Sequence, residues 1–185
     1  TEKLKTAEQR IAACKRDLET GPTIEKKVAL AEAYAAAERW EEAVAAYEEC
    51  TSGPFEDDPF ILYGLATAQF ELGRYDEALH NLNKIDATPV RDKLQQRRLL
   101  RARILEKTGR KNEALERYEA LLDAFQGEEA RYRYALLLRD LGRDEDARTV
   151  LREIVEDAKQ HAKLYRRQNR VWVAKAQRAL EKQEG

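Results

Sequence analysis

The sequence predicts an all-α chain, a right-handed superhelical solenoid of about four helical hairpins with a helix at each end. Three observations predict it. A six-residue pattern recurs along the chain, as Glu38-Arg39-Trp40-Glu41-Glu42-Ala43, Gly73-Arg74-Tyr75-Asp76-Glu77-Ala78, Gly109-Arg110-Lys111-Asn112-Glu113-Ala114 and Gly142-Arg143-Asp144-Glu145-Asp146-Ala147. Its alanines, Ala43, Ala78, Ala114 and Ala147, are 35, 36 and 33 residues apart, and twelve residues before each stands another, Ala31, Ala66, Ala102 and Ala135. Apolar residues fall at helical intervals on both sides of each recurrence. A period near 34 in a helix-rich chain is the mark of stacked helical hairpins, and two rows of small residues let the paired helices approach closely.

Taken in order, residues 1–20 read as an amphipathic capping helix with Leu4, Ala7, Ile11, Cys14 and Leu18 on one face. Gly21-Pro22-Thr23 breaks it. In the second hairpin, Leu62, Leu65, Ala66 and Phe70 form a stripe before Gly73, and Ala78, Leu79, Leu82 and Ile85 form another after it. In the last hairpin, Tyr134, Ala135, Leu138 and Leu141 precede Gly142, while Ala147, Val150, Leu151 and Ile154 follow it. Gly73, Gly109 and Gly142 stand where a helix must end in a left-handed residue, which glycine adopts without penalty. Acidic or amide residues then open the second helix of each pair, as suits a helix N-terminus. Asp57-Asp58-Pro59 and Thr88-Pro89 separate hairpins, with Pro59 and Pro89 placed for first helical turns. Residues 164–183 read as a basic capping helix with Leu164, Val171, Trp172, Ala176, Ala179 and Leu180 on its apolar side. Caps are needed because a terminal repeat otherwise exposes its apolar face.

On these residues the chain resembles the tetratricopeptide repeat family. Registered on the alanines, its units run about 24–57, 59–92, 95–128 and 128–161. Trp40 and Tyr75 match the family's aromatic after the turn, whereas Lys111 and Asp144 depart from it, and Glu38 replaces the first turn glycine. The resemblance implies a concave groove lined by the first helix of each unit. Carried onto this chain, its positions hold Phe60, Tyr63, Gly64, Thr67, Phe70 and Glu71 in the second unit. The third contributes Gln96, Leu99, Leu100, Arg103, Glu106 and Lys107, and the fourth Glu129, Tyr132, Arg133, Leu136, Arg139 and Asp140. Tyr63, Thr67, Arg103, Tyr132, Arg133 and Arg139 are the candidate peptide-binding residues, since tyrosine and arginine supply area and directed hydrogen bonds. The clamp with which chaperone-binding members hold a C-terminal carboxylate is absent: its places hold Val28, Glu32, Gly64, Gln96 and Leu100. Segments such as Leu62-Tyr63-Gly64-Leu65-Ala66 and Tyr165-Arg166-Arg167-Gln168 also resemble bacterial repeat proteins that carry a hydrophobic N-terminal segment. That resemblance implies a cytoplasmic domain behind a membrane anchor, its basic tail on the cytoplasmic side.

Composition narrows the function. The 185 residues are 43% hydrophobic and 37% charged, which suits a folded chain with much surface per unit of core. No run of 18 apolar residues and no signal pattern occurs, so any membrane attachment is expected from a segment ahead of Thr1, in a chain without Met. Cys14 and Cys50 lack metal or redox spacing and read as core residues. One serine, Ser52, and two distant histidines, His80 and His161, offer no catalytic arrangement, and no phosphate loop is present. Neither a cofactor, a metal nor a small-molecule substrate is expected, and the chain reads as non-enzymatic.

Charge is divided along the chain. Residues 25–86 hold 5 Lys/Arg against 14 Asp/Glu, residues 91–139 hold 13 against 8, and residues 156–185 hold 8 against 4. An acidic front and a basic back can orient a charged partner or pair head to tail with another copy. Arg97, Arg98, Arg101 and Arg103, with Arg166, Arg167 and Arg170 near Tyr165 and Trp172, raise nucleic acid as a partner. The pI near 6.2 and the spread of these arginines around their helices count against it. The reading is therefore a scaffold or adaptor that binds a protein, as a peptide or helix in the groove. Self-association front to back is the alternative.

Overall fold

The computed structural model describes residues 2–91, 93–124 and 126–181, with side chains from residue 6. Leu4's side chain, Asp92 and residues 182–183, all named above, lie outside the described residues. Among the described residues every regular element is helical. The chain divides into two units, residues 1–92 and 93–185.

The first unit contains α1 (Glu2–Glu19), α2 (Ile24–Ala36), α3 (Trp40–Cys50), α4 (Pro59–Glu71) and α5 (Tyr75–Asp86). Each helix packs on the next, and α2 also touches α4. Ala7, Ile11, Cys14 and Leu18 form the covered face of α1, with Ile11 in one core with Ala31, Tyr34, Val44, Tyr47, Ile61 and Leu65. The second unit contains α6 (Leu94–Lys107), α7 (Lys111–Glu119), α8 (Glu129–Asp140), α9 (Asp144–Gln160) and α10 (Lys163–Glu181). Neighbours again pack in sequence, and α10 reaches α8 as well as α9.

All eight alanines of the two rows, Ala31, Ala43, Ala66, Ala78, Ala102, Ala114, Ala135 and Ala147, are 0% exposed. A larger side chain there would hold the paired helices apart. The turns between them share one hydrogen-bond pattern. Gly73 donates to the Phe70 carbonyl (3.0 Å) and Arg74 to that of Gln69 (2.9 Å), with φ of 77° at Gly73. Gly109 and Gly142 repeat it, and so does Glu38, held at φ 58° while Arg39 donates to the Tyr34 carbonyl. This is the Schellman closure, and three of its four left-handed positions hold glycine.

Each second helix carries acids in its first turn, as expected, but is preceded by an arginine. Arg39, Arg74, Arg110 and Arg143 occupy the N-cap places and accept no side-chain hydrogen bond there. Three of them instead reach forward to an acid three residues on, Arg39 to Glu42, Arg110 to Glu113 (2.5 Å) and Arg143 to Asp146 (2.8 Å). Two first helices are capped by side chains: Thr23 accepts from the Lys26 amide at the start of α2, and Asp58 accepts from the Phe60 and Ile61 amides at 2.9 and 3.0 Å, with Pro59 opening α4. Pro89 does not open a helix. Thr88 turns its hydroxyl back onto the Ile85 carbonyl (2.7 Å), finishing α5, and α6 starts at Leu94 after Lys93 at φ 49°.

The expected apolar side of the last helix is also corrected. Ala176 and Ala179 are buried and Trp172 and Leu180 half-buried as expected, but Leu164 and Val171 are 65% and 57% exposed, and Asn169 is buried in their place. Cys50 is buried and donates to the Ala46 carbonyl, while half-buried Cys14 faces that of Ala29. Burial pushes the Cys50 thiol above its ordinary pKa.

Two substitutions test this account. Glu38→Gly removes a side chain from a left-handed position and is expected to stabilise the first unit by about 0.5–1 kcal/mol, read as a higher calorimetric melting temperature. Gly64→Ala works the other way: a Cβ at this position lies 2.5 Å from Cζ of the buried Tyr47 ring. A loss of about 1–3 kcal/mol is expected in urea unfolding, since neither α4 nor the ring has room to retreat.

Candidate protein-binding site

Within the second unit, α8 and α10 bring aromatic and cationic side chains together. Spacing along α8 puts Tyr132, Arg133 and Arg139 toward α10, which answers with Trp172, Lys175 and Arg178. The Tyr132 and Trp172 rings meet at 5.7 Å between centroids with a 45° tilt. Arg133 lies over Trp172 at 5.5 Å and Lys175 at 4.3 Å, both in range of a cation–π attraction. Arg133 also pairs with Glu129, Nε to Oε1 2.9 Å. Beside these rings a cleft of about 200 Å³ is lined by Tyr132, Arg139, Lys175, Arg178 and Ala179. Three cations and no acid line it, and among the described residues none of the three makes an ion pair. Such a pocket carries positive charge that its own lining does not balance.

Behind it, a larger cleft of about 730 Å³ runs past Glu128, Arg131, His161, Tyr165, Asn169 and Trp172. Glu128 is only 1% exposed. Its carboxylate accepts from the Tyr165 hydroxyl (2.5 Å) and from Arg131, and its amide donates to Asn169 Oδ1 (2.9 Å). Burial first, and then Glu128, push the Tyr165 hydroxyl well above its ordinary pKa. Arg131 is shared with Asp157 (2.8 Å) and Glu153 (3.3 Å). Burial works against its charge, and these carboxylates more than restore it. Gly127 must be glycine-like here, at φ 112° with its Cβ position 2.9 Å from Asn169 Oδ1. Every carboxylate in this cleft already has a donor, so its role is to dock α10 on α8.

The other candidates divide by unit. Tyr63 and Thr67 lie half-buried on α4 in the first unit, and the Thr67 hydroxyl donates to the Tyr63 carbonyl at 2.8 Å. Half-buried Arg103 on α6 lies, with Arg133, within electrostatic range of Tyr118. The Tyr118 hydroxyl donates to Glu106 at 2.7 Å, and burial, followed by Glu106, drives its pKa far upward. Phe70, Leu99 and Leu100 leave the list of groove residues: they are 4%, 5% and 3% exposed, and Phe70 packs on Tyr75. Gly64 leaves it too, its open side filled by Tyr47. Arg97, counted above in a basic patch, is 3% exposed and presents no surface. Lys175 and Arg178 were missed because they belong to an end helix outside the repeat register. The signal available was their three-residue spacing, which sets two cations side by side on one helix face. Among the described residues no group of His, Cys, Asp and Glu is arranged to hold a metal ion, and no helix is long and apolar enough to cross a membrane.

Hairpins closed by small residues and left-handed turns, presenting a surface cleft, define a helical-repeat scaffold. Residues 28–89 and 99–162 match the family model described as tetratricopeptide repeat, and the chain belongs to that family. The fold is similar to a solved structure of MamA MSR-1, at 18% identity over 84% of this chain and 95% of that one, with a TM-score of 0.59. It is similar to Podospora anserina putative kinesin light chain repeats at 20% identity, 85% and 87% coverage and TM-score 0.57. BtubC from P. vanneervenii gives 17%, 99%, 86% and 0.55 for the same quantities. No curated protein matches the sequence. At these identities the structural likeness concerns the fold.

Asn169→Ala strips the Glu128 amide of its acceptor and is expected to cost about 1–3 kcal/mol. Faster amide hydrogen exchange confined to α10 and the start of α8 is the expected readout; unchanged exchange would show that apolar contacts alone dock the last helix.

Proposed function

We propose that the chain is a non-enzymatic adaptor whose second unit captures an acidic stretch of a partner protein. The carrying observation is the cleft on Tyr132, where Arg139, Lys175 and Arg178 converge without a neutralising acid. A partner carboxylate entering it replaces water around three cations at once, and neighbouring apolar groups find the Tyr132 and Trp172 rings beside it. Arg133 holds Trp172 in place from above. Arg103 extends the cationic surface along α6, while Tyr63 and Thr67 form a separate contact in the first unit. Membership of the tetratricopeptide repeat family supports protein binding in general, and the cleft's charge supports an acidic ligand in particular.

A second reading, association of one copy with another, acidic front to basic back, is favoured by the cations of α10 that make no ion pair among the described residues.

The cleft is tested with a fluorescein-labelled peptide of glutamates interspersed with leucines, beside its glutamine counterpart, in fluorescence anisotropy. The glutamate peptide is expected to bind and the glutamine peptide to bind far more weakly. Arg139→Glu with Arg178→Glu is expected to weaken binding by at least about tenfold with an unchanged melt. Equal affinity for the two peptides, or full affinity in the double variant, overturns the assignment.

A further inference from the structure

The outward side of α10 is unusual in two respects. Leu164 and Val171, 65% and 57% exposed, are the most exposed large apolar side chains among the described residues. Next to them an apolar groove of about 320 Å³ opens between α9 and α10, floored by Val155, Ala158, Val173 and Ala174 and rimmed by Arg166 and Arg170. Lys163, Arg166, Arg167 and Arg170 make no ion pair among the described residues. Three of these cations stand in the first turns of α10, which holds no acid there. That is the helix end at which positive charge is disfavoured.

The first unit carries the mirror image. Glu48 and Glu49 stand in the last turn of α3, which has no basic residue there, at the end where negative charge is disfavoured. Shortly after them come the exposed Phe55 ring, 37% accessible, and Glu56. None of the three glutamates makes an ion pair among the described residues. One surface is apolar with unneutralised cations, the other apolar with unneutralised anions, and each loses helix stability by carrying its charges alone.

We infer that these two surfaces bind each other between copies of the chain. The ring of Phe55 from one copy enters the α9–α10 groove of a second, and Glu48, Glu49 and Glu56 meet Arg166, Arg167 and Arg170. The inference rests on the second of the two readings above and is independent of the acidic-segment cleft. The contact is heterologous, so each copy offers both halves and assembly either continues or closes into a ring. Contact relieves two unfavourable helix ends at once and covers apolar side chains, so it is strongest at low ionic strength.

Charge swaps test it by sedimentation velocity. The wild-type chain is expected to sediment as assemblies at low salt and as monomers at high salt. Glu48→Lys with Glu49→Lys, and separately Arg166→Glu with Arg167→Glu, are each expected to weaken association by at least about tenfold. Mixing the two variants is expected to restore it, since each altered surface then finds its opposite. Each swap also installs the sign its helix end favours, so the melts are expected to be no lower than wild type, and affinity for the glutamate peptide is expected to persist. A wild-type monomer at low salt overturns the inference together with the self-association reading, as does assembly seen only with added RNA or anionic vesicles. Assembly that withstands either swap, or a mixture that stays monomeric, overturns this surface alone.

Discussion

The close approach of helices at paired alanines is the constraint from which the rest of the structure follows. Where Ala31 meets Ala43, or Ala135 meets Ala147, neither residue retains any exposure. Helices that lie this near must be joined by a short turn, which places a left-handed residue at Glu38, Gly73, Gly109 and Gly142. The turn in turn delivers an arginine to the start of the next helix, and that helix supplies an acid one turn along. Apolar residues larger than alanine then interlock around the contact, as Tyr47, Leu82, Tyr118 and Leu151 do in successive hairpins.

The repeat architecture was legible in the sequence because it depends on backbone requirements that only a few residue types satisfy. Alanine at a contact and glycine at a left-handed turn leave marks at fixed spacing. The polar interior left no such mark. Gln69 and Asn81, bonded to each other at 2.8 Å, and Glu128 with its three partners look like ordinary surface residues when read along the chain. The candidate cleft was half legible. Tyr132, Arg133 and Arg139 follow from the repeat register, but Trp172, Lys175 and Arg178 lie in a helix that has left it. Helical periodicity also failed to choose a face for α10, because Leu164 and Val171 compete there with Ala176 and Ala179. Asn169 lies on the inward face with the alanines, bonded to the Glu128 amide.

Charge is organised at three scales. Between neighbouring residues it staples turns, as Arg110 does with Glu113. These pairs are exposed and contribute little individually. Around Glu128 it is buried and geometrically exacting, so it fixes where α10 sits more than it stabilises the fold. Along the chain it is left uncompensated, with acids gathered in residues 25–86 and bases in α10. Charge gathered in this way sets up a long-range field along the chain, beyond the reach of any single pair.

The turn geometry has a consequence for how the chain folds. Each Schellman closure joins residues no more than five apart, so every hairpin can form from contacts that are local in sequence. Chains dominated by such contacts fold quickly, with nucleation open to any hairpin and growth by addition of neighbours. The junction at Glu128 is different in kind, because its bonds to Tyr165 and Asn169 span 37 and 41 residues. Closing loops of that length costs more entropy than closing a turn, so this junction is expected to be the closing step of the second unit. The helix added by that step, α10, also completes the aromatic and cationic wall of the cleft.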